Sequence, residues 1–133
     1  MPAATHSPAP LKVLIVEDNR DARTTLRMLL TLGHGHEVLE ADEGAAAVQL
    51  ALDERPDVAL IDLGLPGLDG LEVARRIRAV RGRDEIYLVA LTGYGEQEDR
   101  MRAEAAGFDV HFVKPVDMPA LAKLLAEVAA ARI

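Results

Sequence analysis

The stretch Val58-Ala59-Leu60-Ile61-Asp62-Leu63-Gly64-Leu65-Pro66-Gly67 decides the fold. Val58 to Ile61 is a short apolar run of the kind that forms a strand buried on both faces. Asp62 closes it, and a Gly/Pro turn follows at once. A carboxylate in that place is carried to the rim of a sheet. Rims of this kind are where open α/β folds keep their ligands. The pattern recurs where Leu14-Ile15-Val16 ends in Glu17-Asp18 and where Tyr87-Leu88-Val89-Ala90-Leu91 ends in Thr92. One site built from several strand ends is therefore expected.

Outward from that segment, strand-like and helix-like stretches alternate. Strands are expected at Lys12–Val16, Glu37–Ala41, Val58–Asp62, Ile86–Thr92 and Val110–Val113. The spacing predicts a helix over Asp21–Leu32, with Ala22, Leu26, Leu29 and Leu30 inward and Gly33 to Gly35 as its end. Further helices are expected at Glu43–Glu54 (Ala47, Leu50 and Ala51 inward), Gly70–Val80 (Leu71, Ala74, Ile77) and Glu96–Ala106. The last runs from Met118 to Ala130, with Leu121, Leu124, Leu125 and Val128 on one face. Strict alternation implies an α/β fold, a parallel sheet covered by helices on both faces.

The 133 residues suit one domain, read as 11–131 behind a flexible tail at 1–10. Half the chain is apolar and only 3% is aromatic, so the core is aliphatic. The formal charge of -7 argues against a broad nucleic-acid surface. With no cysteine, disulfide and thiol chemistry are excluded, which fits a cytoplasmic setting. No apolar stretch is long enough for a membrane span, and the N-terminus lacks the pattern of a secretory signal.

If the first, third, fourth and fifth strands end on one edge, that edge holds Glu17, Asp18, Asp62, Thr92 and Lys114. Carboxylates crowded together repel and raise one another's pKa. A divalent cation relieves this, and an all-oxygen, partly hydrated site suits Mg²⁺. A metal, a lysine and a hydroxyl are the parts that hold a phosphoryl group, and a carboxylate among them can accept it. Taken singly, each piece has a plainer reading. Glu17-Asp18 would serve as a helix cap, Asp62 as a strand-end acid and Lys114-Pro115 as a solvated end. His6, His34 and His36 lack zinc-site spacing and read as solvated, as does the run Glu96-Gln97-Glu98-Asp99-Arg100. That run is secondarily a candidate for a signalling surface.

In register, the pieces resemble one family. The chain is similar to receiver domains of two-component response regulators through Val13-Leu14-Ile15-Val16-Glu17-Asp18-Asn19, Asp62 to Gly70, Leu91-Thr92-Gly93-Tyr94 and Phe112-Val113-Lys114-Pro115. The resemblance implies a doubly wound (βα)5 sheet of order 2-1-3-4-5. It implies that Asp62 accepts a phosphoryl group from a phosphohistidine on a histidine kinase or phosphotransfer protein. Asp18 would hold Mg²⁺ directly, Glu17 through water, and Asp62 and the Gly64 backbone carbonyl would complete the ligands. Thr92 and Lys114 would bind phosphoryl oxygens, with a cis Lys114-Pro115 bond. His111 stands at the switch position, where the family usually has Tyr or Phe, and is a smaller, titratable substitute. Gly64 offers no side chain to govern water access to the acyl phosphate, and Tyr94 is the residue expected to shield it.

The same resemblance implies a signalling switch rather than an enzyme with a released product. Its changing face would be built from Glu96–Ala106, Val110–Val113 and Met118–Ala130, and its downstream protein target is not written in the sequence. The runs Leu91 to Gly95 and Phe108 to Asp117 resemble receivers of hybrid histidine kinases, so a free-standing regulator and a fused receiver both stay open. A phosphatase of the haloacid dehalogenase class uses similar parts. It needs a second Asp two residues after the nucleophile, where this chain has Gly64. A nucleotide-binding fold needs a Gly-rich phosphate loop after the first strand, where this chain has Glu17-Asp18-Asn19-Arg20.

Overall fold

Val58 to Asp62 is buried along its whole length, as a central strand must be. The computed structural model describes residues 9–93 and 97–131. Most of the expected tail, His6, Tyr94 and Glu96 lie outside the described residues. The elements alternate without exception: β1 (Lys12–Val16), α1 (Arg20–His34), β2 (Glu37–Ala41), α2 (Gly44–Glu54), β3 (Val58–Asp62), α3 (Gly70–Arg78), β4 (Tyr87–Thr92), α4 (Gln97–Ala106), β5 (Val110–Val113) and α5 (Met118–Ala131). The sheet order is β2-β1-β3-β4-β5, and every pairing is parallel. The chain has the flavodoxin-like doubly wound α/β fold.

Side chains alternate across the sheet with a period of two, which divides the core. Val13, Ile15, Val58, Leu60, Val89 and Leu91 pack with Leu26 and Leu30 of α1 and with Leu121, Leu125 and Val128 of α5. Leu14, Val16, Ala59, Ile61, Leu88 and Ala90 face the other way, onto Ala47, Val73, Ala74, Ile77 and Ala103 of α2, α3 and α4. The core is made mainly of Leu, Val, Ile and Ala, as the 3% aromatic content requires.

Helix α1 departs from expectation in three ways. It begins one residue earlier, because the Asn19 side chain accepts a hydrogen bond from Ala22 N at 2.9 Å. It runs on through Gly33 to His34 and ends only at Gly35, whose φ of 73° is left-handed. Gly33 has an ordinary helical backbone, so glycine alone does not stop the helix; the left-handed turn does. Its inward face is also narrower than expected. Leu26 and Leu30 are buried, while Leu29 is 43% exposed and Ala22 is exposed.

His36 overturns the solvated reading. It is buried, and its Nδ1 accepts a hydrogen bond from Leu11 N at 3.0 Å. That bond pins the chain entering β1 to the start of β2. His34, by contrast, is exposed.

Candidate functional site

Each candidate side chain hangs from a strand end, and backbone hydrogen bonds fix those ends against one another. Leu63 N donates to Leu91 O at 2.9 Å, and Lys114 N donates to Thr92 O at 2.7 Å. Glu17 N donates to Ala41 O at 3.1 Å. The loop after Asp62 then folds back on itself. A Cβ at Gly70 would lie 2.5 Å from the Asp62 carbonyl oxygen, so only glycine lets α3 start this close to the strand end. Asp69 caps that helix by accepting from Glu72 N at 2.9 Å.

Glu17, Asp18 and Asp62 meet on this edge, with one oxygen from each carboxylate lying within 4.8 Å of the others. Glu17 and Asp62 are buried, at 3% and 8% exposure, while Asp18 is open to solvent. Lys114 Nζ stands 2.6 Å from Glu17 Oε1 and 3.2 Å from Asp62 Oδ2. One ammonium thus serves two carboxylates. Asp62 Oδ1 accepts from Gly64 N at 2.9 Å, and Glu17 Oε2 accepts from Asn19 N at 3.2 Å. Arg23 does not reach the carboxylates; its Nη1 donates to the Glu17 carbonyl oxygen at 2.9 Å.

The electrostatics match the crowding. Burial pushes the Glu17 carboxyl above its usual range, and the neighbouring Asp62 adds to this, against the hydrogen bonds from Lys114 and Asn19. Burial would lower the Lys114 ammonium, but its hydrogen bonds to Glu17 and Asp62 outweigh that and hold it above the usual lysine range. The donor set is all oxygen, carries more negative charge than Lys114 cancels, and keeps one face open. A hard, partly hydrated divalent cation such as Mg²⁺ fits it.

Thr92 is buried at the end of β4, and the Lys114-Pro115 peptide is cis. His111 pairs in register with Ala90, and Val113 with Thr92, so His111 and Thr92 share the sheet face that α4 covers. Its Nε2 is buried and has no partner among the described residues. Burial lowers the imidazole pKa; Arg100 adds to this and Asp99 opposes it. A groove of about 880 Å³ lies here between α4 and β5, with Arg100, Ala103, His111 and Val113 on its walls.

The expectation of a solvated run from Glu96 to Arg100 needs correction at Asp99. It is half-buried and lines a hollow beside Asp62, with Arg102 one turn further along α4. Sequence reading missed Arg102. Its only signal was the three-residue spacing from Asp99, which places both on one helix face.

Known proteins share this fold and about a third of this sequence. The family model described as the response regulator receiver domain matches residues 13–126. The sporulation initiation phosphotransferase F of Bacillus subtilis is 32% identical over 107 residues, covering 80% of this chain and 84% of that protein. The virulence sensor protein BvgS of Bordetella bronchiseptica is 37% identical over 125 residues, covering 90% of this chain but 10% of that protein. Among solved structures, the receiver domain of sensor histidine kinase PA1611 from Pseudomonas aeruginosa superposes with a TM-score of 0.79 at 35% identity. The superposition covers 92% of this chain and 99% of that one, and a magnesium ion is coordinated in that domain's active site cleft. The chain belongs to the response regulator receiver family, whose members are signalling switches found in both sensor kinases and response regulators. Among the described residues, no helix is long and apolar enough to cross a membrane.

Proposed function

We propose that this domain takes a phosphoryl group from a phosphohistidine donor onto Asp62 and changes a protein-binding face in response. The observation that carries the reading is Lys114, shared at 2.6 and 3.2 Å between Glu17 and Asp62 with Asp18 beside them. Asp62 supplies the nucleophilic oxygen, and its Gly64 hydrogen bond orients the carboxylate. In the transfer, a carboxylate oxygen forms the new O–P bond while the donor's N–P bond breaks. The pair of electrons leaves with the imidazole, which takes up a proton. Lys114 and the Thr92 hydroxyl neutralise and bind the phosphoryl oxygens.

Asp18 and Glu17, with Asp62 and the Gly64 carbonyl, are the groups that would hold Mg²⁺. Bound there, the ion supplies charge neutralisation between carboxylates and phosphoryl oxygens. Thr92 and His111, on one sheet face under α4, carry the change to α4, β5 and α5. The partners on this reading are a histidine kinase or phosphotransfer protein, in the cytoplasm, and a protein target downstream. The domain catalyses its own phosphorylation and dephosphorylation and releases no other product.

The test is intact mass after mixing with Mg²⁺ and acetyl phosphate. The wild type should gain one phosphoryl group and Asp62→Asn none. Equal gain by both proteins, or none by either, contradicts the assignment.

A further inference from the structure

The hollow beside Asp62 contains a cation to which the reading above gives no task. It measures about 270 Å³, with Asp62, Gly64 and Thr92 on the sheet side and Asp99 and Arg102 on the α4 side. Arg102 is the only positively charged residue on its walls among the described residues. Gly64 leaves the approach open: a Cβ there would sit 3.5 Å from Asp62 Oδ1, and there is none.

Charge says what such a cation is for. Glu17, Asp18 and Asp62 bring three negative charges to the site. Lys114 and a divalent cation would bring as many positive ones, and on the α4 wall Asp99 and Arg102 offset each other, so the unphosphorylated, metal-loaded site would be balanced. An acyl phosphate on Asp62 carries about −2 in place of the carboxylate's single charge. The phosphorylated site is therefore one unit negative. That excess repels Asp99 and attracts the Arg102 guanidinium, whose planar fork offers paired donors to phosphoryl oxygens.

We propose that Arg102 binds the phosphoryl group on Asp62 from the α4 wall of this hollow. The inference rests on Asp62 being the phospho-acceptor. It makes Arg102 a direct tie between the phosphorylated state and α4, separate from the Thr92–His111 face. Asp99, on the same wall, has the opposite sign and is repelled by the same group. Phosphorylation thus favours one presentation of α4 over another.

The test uses the whole chain, with Mg²⁺ alone and then with beryllofluoride, which adds to a carboxylate the same charge as a phosphoryl group. Binding is followed by calorimetry for the wild type, Arg102→Ala and Arg102→Lys. One charge-assisted hydrogen bond is lost, so Arg102→Ala should weaken beryllofluoride binding about tenfold. Mg²⁺ alone should bind it as tightly as wild type or tighter, because a cation has left the neighbourhood. Arg102→Lys should recover part of the loss. The proposal is overturned if Arg102→Ala binds beryllofluoride like the wild type. It is also overturned if Mg²⁺ and beryllofluoride weaken together, which marks general damage to the fold. If the wild type itself binds neither, the Asp62 assignment has failed first.

Discussion

Where β4 begins, Asp109 is matched by more donors than it has charge; where β4 ends, Glu17, Asp18 and Asp62 have Lys114 between them. At the first edge, Asp109 Oδ2 accepts from Arg78 Nη2 at 2.6 Å and from Leu88 N at 2.8 Å, and Oδ1 pairs with Arg83. Arg78 also donates to Gly107 O at 2.9 Å and to Ile86 O at 2.7 Å. The network ties the end of α3, the start of β4 and the turn before β5 into one knot. At the second edge the same fold leaves like charges crowded, and burial raises the Glu17 carboxyl further. A charge-balanced network needs no ligand, whereas like charges that the sheet holds together are relieved by a counter-charge.

Breaking the knot should have the largest effect. Asp109→Ala leaves the Arg78 guanidinium, 13% exposed, without its carboxylate and should cost about 3–5 kcal/mol of stability. Urea denaturation measures this. The same measurement on Asp62→Asn should show no loss, and a gain of roughly 1 kcal/mol without Mg²⁺, because a repelling charge is removed. If both substitutions cost alike, the contrast between the edges is wrong.

Glu17 sharpens the contrast through pH. Its carboxyl titrates above the ordinary value of 4.5 in the folded chain. Without Mg²⁺, stability is therefore fully present below pH 4.5 as far as Glu17 is concerned, and is lost as pH rises toward the raised folded value. Glu17→Gln should remove that part of the pH dependence and raise the melting temperature at neutral pH. Saturating Mg²⁺ should shrink the difference between the two proteins. A Glu17→Gln protein that melts lower than wild type without metal would contradict the crowding.

The smallest expected effect is at His36, beside the start of β2. Its Nδ1 must stay unprotonated to accept from Leu11 N, and burial, aided by His34, lowers its pKa. That contribution is whole above pH 6.5 and is lost as pH falls from 6.5 toward the lowered folded value, since the unfolded chain takes up the proton first. Thermal melts at stepped pH should show a decline of a few tenths of a kcal/mol up to about 1 kcal/mol, absent in His36→Gln. An unchanged slope in the variant would assign the decline to other groups.

The crowded edge could be read from sequence because its pieces are local. Each is a strand of four to six residues closed by a polar side chain, and parallel strands must end on the same side. Glu17, Asp18, Asp62, Thr92 and Lys114 needed only that rule to be brought together. The satisfied edge was invisible. Arg78 and Asp109 lie 31 residues apart, and neither sits in a pattern that singles it out from other surface charges. His36 was misjudged for a related reason: its burial depends on Leu11, 25 residues away. The extent of α1 turned on the φ of Gly35 rather than on composition, since Gly33 is the same residue type inside the helix. Arg102 was hidden because its helix carries charge on several faces, and only its packing against α3 and β5 shows which one meets the cleft.

One calorimetric titration of the whole chain with Mg²⁺ tests the crowded edge most directly. The wild type should show a single site that is lost in Asp18→Asn, a position where the side chain is exposed and replacement leaves the core untouched. A wild type that binds no magnesium, or an Asp18→Asn protein that binds it equally well, would contradict the proposed site.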